Sequence, residues 1–246
     1  MDTRPTLHAP RSTPDAPPAP RVLLAIDTCT RRASIALRDA HTVLAESTWP
    51  CERQHTAMIS ARIHDLLIAC QLQANDIGAV AVAIGPGSFT GVRCGLAIAK
   101  GMAVANNLPL IGVSAFQAIA YAQPNHDVPI YAVVEAGRSR VAVYRYERVE
   151  HVPLFDLALR KSTSGQSDWH IYDHKTFVDQ IQPNTWVCGD LPATLLAMIS
   201  ARAAVAPAWL NVRRAGVLAD IAYARWQQGD IDDAATLAPI YPKEAA

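Results

Sequence analysis

Two short stretches hold the residue types that do chemistry. "AIDTCT", residues 25–30, sets Asp27 at the end of an apolar run and follows it with the hydroxyls of Thr28 and Thr30. A carboxylate and two hydroxyls in one turn can hold Mg²⁺ and phosphate oxygens. They can equally close an Asx-type turn on their own backbone, the commoner use. Arg31 and Arg32 follow directly and add positive charge. "GPGSFTG", residues 85–91, is the second stretch. Its glycines permit positive φ or close backbone approach, and Ser88 and Thr90 can cap a following helix. A helix N-terminus with free N–H groups attracts anions. The spacing nevertheless matches no catalytic loop. GxxxxGK[ST] fails because Gly91 falls one place late from Gly85 and Val92, not lysine, follows it, and GxGxxG fails because Thr90 stands where the third glycine belongs. Asp27, Thr28, Thr30, Gly85, Gly87 and Ser88 are therefore expected to form a vestigial phosphate turn.

Other chemistry is thinly represented. His55 and His64 share a helical stretch but lie nine residues apart, off a common face. His170 and His174 have i, i+4 spacing within a polar region, and no metal site is expected there. No serine occupies a GxSxG elbow, and the five cysteines include no CxxC pair, so reduced thiols are expected rather than zinc or disulfides. Half the residues are apolar and 18% are charged, with Lys+Arg and Asp+Glu both at 22. That balance suits a protein with a substantial core and argues against one that grips nucleic acid by charge alone. No apolar stretch is long enough to cross a bilayer, and a cytoplasmic location is expected.

The elements that must position these residues follow from hydrophobic period. Residues 1–20 carry six prolines and read as a disordered leader. Apolar runs at Val22–Ile26, Ser34–Leu37 and Thr42–Ala45 read as an antiparallel meander. Three- and four-residue spacing of Met58, Ile59, Ile63, Leu66, Leu67 and Cys70 predicts a helix over 54–72. "IGAVAVAIG" is a strand, the glycine loop follows, and a helix runs from about Thr90 to Ala105. "LPLIGV" and "SAFQAIAYAQ" add a strand and a helix, giving a mixed sheet with flanking helices. From Val128 a similar order restarts less cleanly: a hairpin around Gly137–Ser139, an irregular polar stretch over 150–185 with a weak helix near 174–182, a strand at "TWVCGD", and two helices. A boundary near 124–127 divides residues 21–125 from a reduced copy at 126–246.

On the helix after the glycine loop, Gly91, Gly95, Ala99 and Ala103 recur every four residues as a ridge without bulk. Such a ridge admits a close helix partner, either from this chain or from another.

"LLAIDTCTRRASIAL", "ERQHTAMI", "AVAIGPGSFTGVRCGLAIAKGMAVANNLPLIGVSAF" and "APIYPK" together resemble the TsaB (YeaZ-type) family. The resemblance covers residues 22–123 well and the remainder weakly. It implies an α/β fold duplicated in the manner of actin, sugar kinases and Hsp70. It also implies a non-catalytic scaffold or activating subunit that binds TsaD during synthesis of threonylcarbamoyladenosine beside the tRNA anticodon. TsaD and TsaE are the implied partners, with a homodimer as a further state and tRNA met only through the complex. No tightly bound cofactor is implied, and ATP or ADP would enter only with TsaD. In TsaD the segment after the matching strand carries two metal-binding histidines; the aligned positions here are Ala115 and Ile119, so catalysis is not expected. The implied partner surface is formed by His55, Met58, Ile59, Arg62, Gly91, Gly95, Ala99 and Ala103. The second half departs from the family at Glu135–Ala142 and at Tyr241–Lys243, which removes support for a nucleotide site there. A small-molecule kinase or a metallopeptidase of the same superfold is the alternative.

Overall fold

The computed structural model describes residues 22–51, 55–124, 128–147 and 169–241, with only the backbone of 55–57. The proline-rich leader, residues 148–168 of the polar stretch, and residues 242–246 lie outside it. Two five-stranded sheets form the frame. In the first, β1 (Val22–Asp27), β2 (Arg32–Arg38) and β3 (Val43–Pro50) make the expected meander, and β4 (Ile77–Ala83) and β5 (Leu110–Val113) extend it in parallel. Its order is β3-β2-β1-β4-β5. In the second, β6 (Ile130–Glu135), β7 (Arg140–Tyr146) and β8 (Trp169–Asp173) repeat the meander, while β9 (Trp186–Gly189) and β10 (Ala204–Val205) repeat the parallel extension. The order β8-β7-β6-β9-β10 reproduces the first sheet strand for strand, which is the duplicated mixed α/β arrangement expected. β8 falls in the stretch expected to be irregular.

Every residue of β1 and β4 is buried. This is why both read as continuous apolar runs: a central strand covered on both faces cannot alternate. On one face, Val22, Leu24 and Ile26 pack with α1 (His55–Ala69) and α2 (Phe89–Asn106). On the other, Leu23 and Ala25 meet α6 (Ala215–Gln227). The second sheet is likewise covered on both faces. α3 (Ala115–Tyr121) packs on Ile130, Ala132 and Val134, while α4 (His174–Gln180) and α5 (Ala193–Ile199) pack on Tyr131 and Val133. Its own helices α4 and α5 have 7 residues each, against 15 and 18 in α1 and α2, so the second copy is the reduced one.

The boundary at 124–127 does not coincide with the packing. α3 follows the fifth strand of the first sheet yet packs on the second. α6 follows the fifth strand of the second sheet yet packs on the first, and the two helices touch each other. Each half lends its last helix to the other. Hydrophobic period cannot reveal this, because it reports that a face is buried and not against what.

Candidate functional site

The β1–β2 turn holds the first predicted residues. Asp27 Oδ1 accepts from the Cys29 N–H at 2.9 Å, an Asx turn. Thr28 Oγ1 donates to the Gly91 carbonyl at 2.7 Å, and Thr30 Oγ1 bonds within its own turn to the Arg32 backbone. The hydroxyls are thus spent on the chain itself. The glycine loop closes over the same turn. Ser88 N–H donates to the Cys29 carbonyl at 2.7 Å, and Ser88 Oγ caps α2 by accepting from the Gly91 N–H at 3.3 Å. Gly85 has φ +91°, a conformation that favours glycine. A Cβ at Gly87 would collide with the Cys29 carbonyl, and one at Gly91 with the Thr28 carbonyl. The β1–β2 backbone thus packs directly against Gly87 and Gly91, while Thr30 and Ser88 of the expected phosphate turn line the cleft between the sheets.

The eight residues of the expected partner surface divide in a way that overturns most of that expectation. Gly91, Gly95, Ala99 and Ala103 are all buried on the inward side of α2. A Cβ at Gly95 would strike Thr28 Oγ1, so this ridge is smooth because the β1–β2 turn presses on it. Ile59 is fully buried in the same cluster, with Met58 packed against it. Arg62 is half-buried over the Trp49 ring, 4.8 Å from its centroid. The side chain of His55 is outside the described residues. The outward face of the helix pair is different: Ala61, His64 and Ile68 on α1, and Arg93, Ala97, Gly101 and Val104 on α2. Ile68 is 60% exposed and Val104 72%, and nothing lies within 4 Å of a Cβ built on Gly101. Ala97, Gly101 and Ala105 form a second four-residue ridge. The sequence carries it too, in the shadow of the more glycine-rich one.

Between the sheets lies a cleft of about 590 Å³. Thr30, Arg31 and Arg32 line it from the first half, and Glu135, Gly137 and Asp190 from the second. Leu191, Pro192 and Leu196 give it an apolar wall. Arg213 stands at its floor, a residue to which no motif points. Its Nε donates to Asp27 Oδ2 at 3.0 Å, its Nη2 lies 2.9 Å from the same oxygen, and its Nη1 lies 3.9 Å from Asp190 Oδ2. Burial opposes the Arg213 charge most strongly, but Asp27, Cys29 and Asp190 together outweigh it and raise the pKa, so the guanidinium stays charged. Burial, with a smaller contribution from Asp27, pushes the Cys29 thiol far up and leaves no thiolate nucleophile. Burial also raises the Asp190 carboxyl to about 6, with Arg213 acting in the opposite sense. Ala115 and Ile119 lie in the hydrocarbon between α3 and the second sheet. His170 is on β8 and His174 opens α4, so their spacing is not that of one helix face. Among the described residues, no group of three His, Cys, Asp or Glu side chains could hold a metal, and no helix is long and apolar enough to cross a membrane.

This fold and site define a class: a duplicated two-sheet α/β protein whose glycine loop packs on its own β1–β2 turn beside a cleft between the sheets. A structure of YeaZ from Pseudomonas aeruginosa shares the fold, with a TM-score of 0.68 and 19% identity over 89% of this chain and 100% of that one. In sequence the chain is TsaB-like. It is 39% identical over 131 residues to the tRNA threonylcarbamoyladenosine biosynthesis protein TsaB of Escherichia coli K12, covering 52% of this chain and 56% of that protein. To the Bacillus subtilis protein of the same name it is 34% identical over 127 residues, covering 51% and 56%. The chain thus spans about half the length of the curated relatives it matches. The family model for TsaD, tRNA N6-adenosine threonylcarbamoyltransferase, matches residues 44–159.

Proposed function

We propose that this chain acts in tRNA threonylcarbamoyladenosine synthesis as a non-catalytic subunit that docks TsaD, with TsaE joining the assembly, in the cytoplasm. The observation that carries this reading is the outward face of α1 and α2. Ile68 and Val104 are exposed there beside Ala97 and Gly101, so a helix pair of similar build can approach closely. TsaB relatives at 39% and 34% identity support the pathway, and the match of residues 44–159 to TsaD supports a partner of related shape. The apolar, buried Ala115 and Ile119 favour a role in which the partner supplies the chemistry. On this reading the chain alone holds no nucleotide tightly, and ATP or ADP enters only with TsaD.

The test is co-purification with TsaD. Ala97→Arg places a long charge on an exposed position and should weaken complex formation about tenfold or more while leaving the melting temperature unchanged. Wild-type binding by Ala97→Arg and by Val104→Asp would sink the proposal. If the wild-type chain is dimeric without TsaD and both variants are monomeric, the same face also serves a second copy of this chain.

A further inference from the structure

The cleft mouth carries a feature that TsaD docking does not use. Arg31 and Arg32 line it from the β1–β2 turn, and Arg138 and Arg140 follow Gly137, which lines it from the β6–β7 turn. The two turns occupy equivalent places in the duplicated halves. All four arginines are exposed, and none of the side chains is paired with a carboxylate among the described residues. Six other arginines, Arg38, Arg145, Arg202, Arg213, Arg214 and Arg225, each hold a carboxylate, while Arg62 lies over the Trp49 ring and Arg93 donates to the Tyr241 hydroxyl. The acids nearby do not cancel the four charges. Asp190 faces Arg213, and Asp173, opposite Arg140 in the β7–β8 register, caps α4 through the Thr176 N–H and hydroxyl, so at most one of the four charges is offset by it. Glu135 alone is an exposed carboxylate lining the cleft. Trp209, next to cleft-lining Ala208, is 71% exposed, an unusual position for the largest aromatic side chain.

We propose that this mouth binds RNA directly, the arginines holding phosphodiester oxygens and Trp209 stacking on an unpaired base. Guanidinium groups in a fixed fork match phosphate geometry, and an exposed indole offers a face to any base. A chain of zero net charge can do this because Arg31, Arg32, Arg138 and Arg140 sit on the two turns that reach the cleft. The choice of RNA among polyanions rests on the function proposed above, whereas the phosphate chemistry rests on the arginines alone.

The experiment is fluorescence anisotropy of the whole chain, without TsaD, against a labelled tRNA transcript over a salt series. Arg31→Glu/Arg32→Glu and Arg138→Glu/Arg140→Glu are measured separately, each checked by thermal melting, so that one misfolded variant leaves the other informative. Each pair should weaken binding about tenfold or more and flatten the log K against log salt slope by about one to two units. Trp209→Ala should weaken binding several-fold with the slope unchanged. Absence of salt-dependent binding at about 50 mM salt, wild-type binding by both double variants, or equal competition by inorganic polyphosphate would overturn the proposal. Ala97→Arg should bind the transcript like wild type. Loss of TsaD binding with RNA binding retained, or the reverse, therefore tells which of the two proposals has failed.

Discussion

The two faces of α2 are nearly alike in composition and opposite in circumstance. Inward, Gly91, Gly95, Ala99 and Ala103 lie under β1 and its turn. Outward, Ala97, Gly101 and Ala105 are exposed, and a Cβ on Gly101 would meet nothing. Small residues inside are dictated by contact, because any Cβ at Gly91 or Gly95 would enter space held by Thr28. Small residues outside leave a groove that no part of the described chain fills. The same residue types therefore carry two meanings, and only the neighbour tells them apart.

Substitutions can break that contrast, and the largest effect is expected inside. Gly95→Leu should cost about 3 kcal/mol or more, read from urea denaturation, because Thr28 and β1 have no free space to yield into. If Gly95→Leu is as stable as wild type, the inward assignment is wrong. Thr28→Val keeps the shape and removes only the 2.7 Å bond to the Gly91 carbonyl. A loss of about 1–2 kcal/mol is expected, and no loss would mean that the contact between turn and helix is steric alone.

Asp190→Asn is a control away from the helix. A carboxyl whose folded pKa of about 6 exceeds its unfolded value is stabilising when protonated, and that contribution is lost as pH rises through 6. The Asn variant should therefore exceed wild type by on the order of 1 kcal/mol at pH 7.5, with the gap closing between about pH 6 and 4. The figure is kept small because the side chain is 21% exposed. A less stable Asn variant at pH 7.5 would show that attraction to Arg213 outweighs burial. The smallest effect belongs to the outward face. Gly101→Ala should raise stability by up to about 1 kcal/mol in thermal unfolding, since it adds helix propensity in open space. Destabilisation there would mean that the ridge is covered.

The strands and long helices of the first half are legible in the sequence because β1 and β4 are continuous apolar runs and α1 and α2 each bury one face. The Asx turn at Asp27 is legible as the simpler of two readings. The facing of α2 is not. Ridges starting at Gly91 and at Ala97 both repeat every four residues, and period alone does not say which one meets β1. Arg213 is invisible for another reason: its partner Asp27 lies 186 residues away, and two arginines before a helix carry no local signature of which one is buried. β8 escapes notice because "WHIYD" is short, lies at a sheet edge and alternates weakly.

The exchange of α3 and α6 between the sheets has a consequence for synthesis on the ribosome. When residues 22–113 have emerged, all five strands of the first sheet are present, yet Leu23, Ala25, Ile111 and Val113 still face water. They wait for Leu218, Ala219, Ile221 and Ala222, which are made about a hundred residues later or more. The nascent first half therefore presents an uncovered apolar surface until the chain is nearly finished. A fragment ending near residue 125 should be captured by chaperones or aggregate, whereas the two halves supplied as separate fragments should rescue each other.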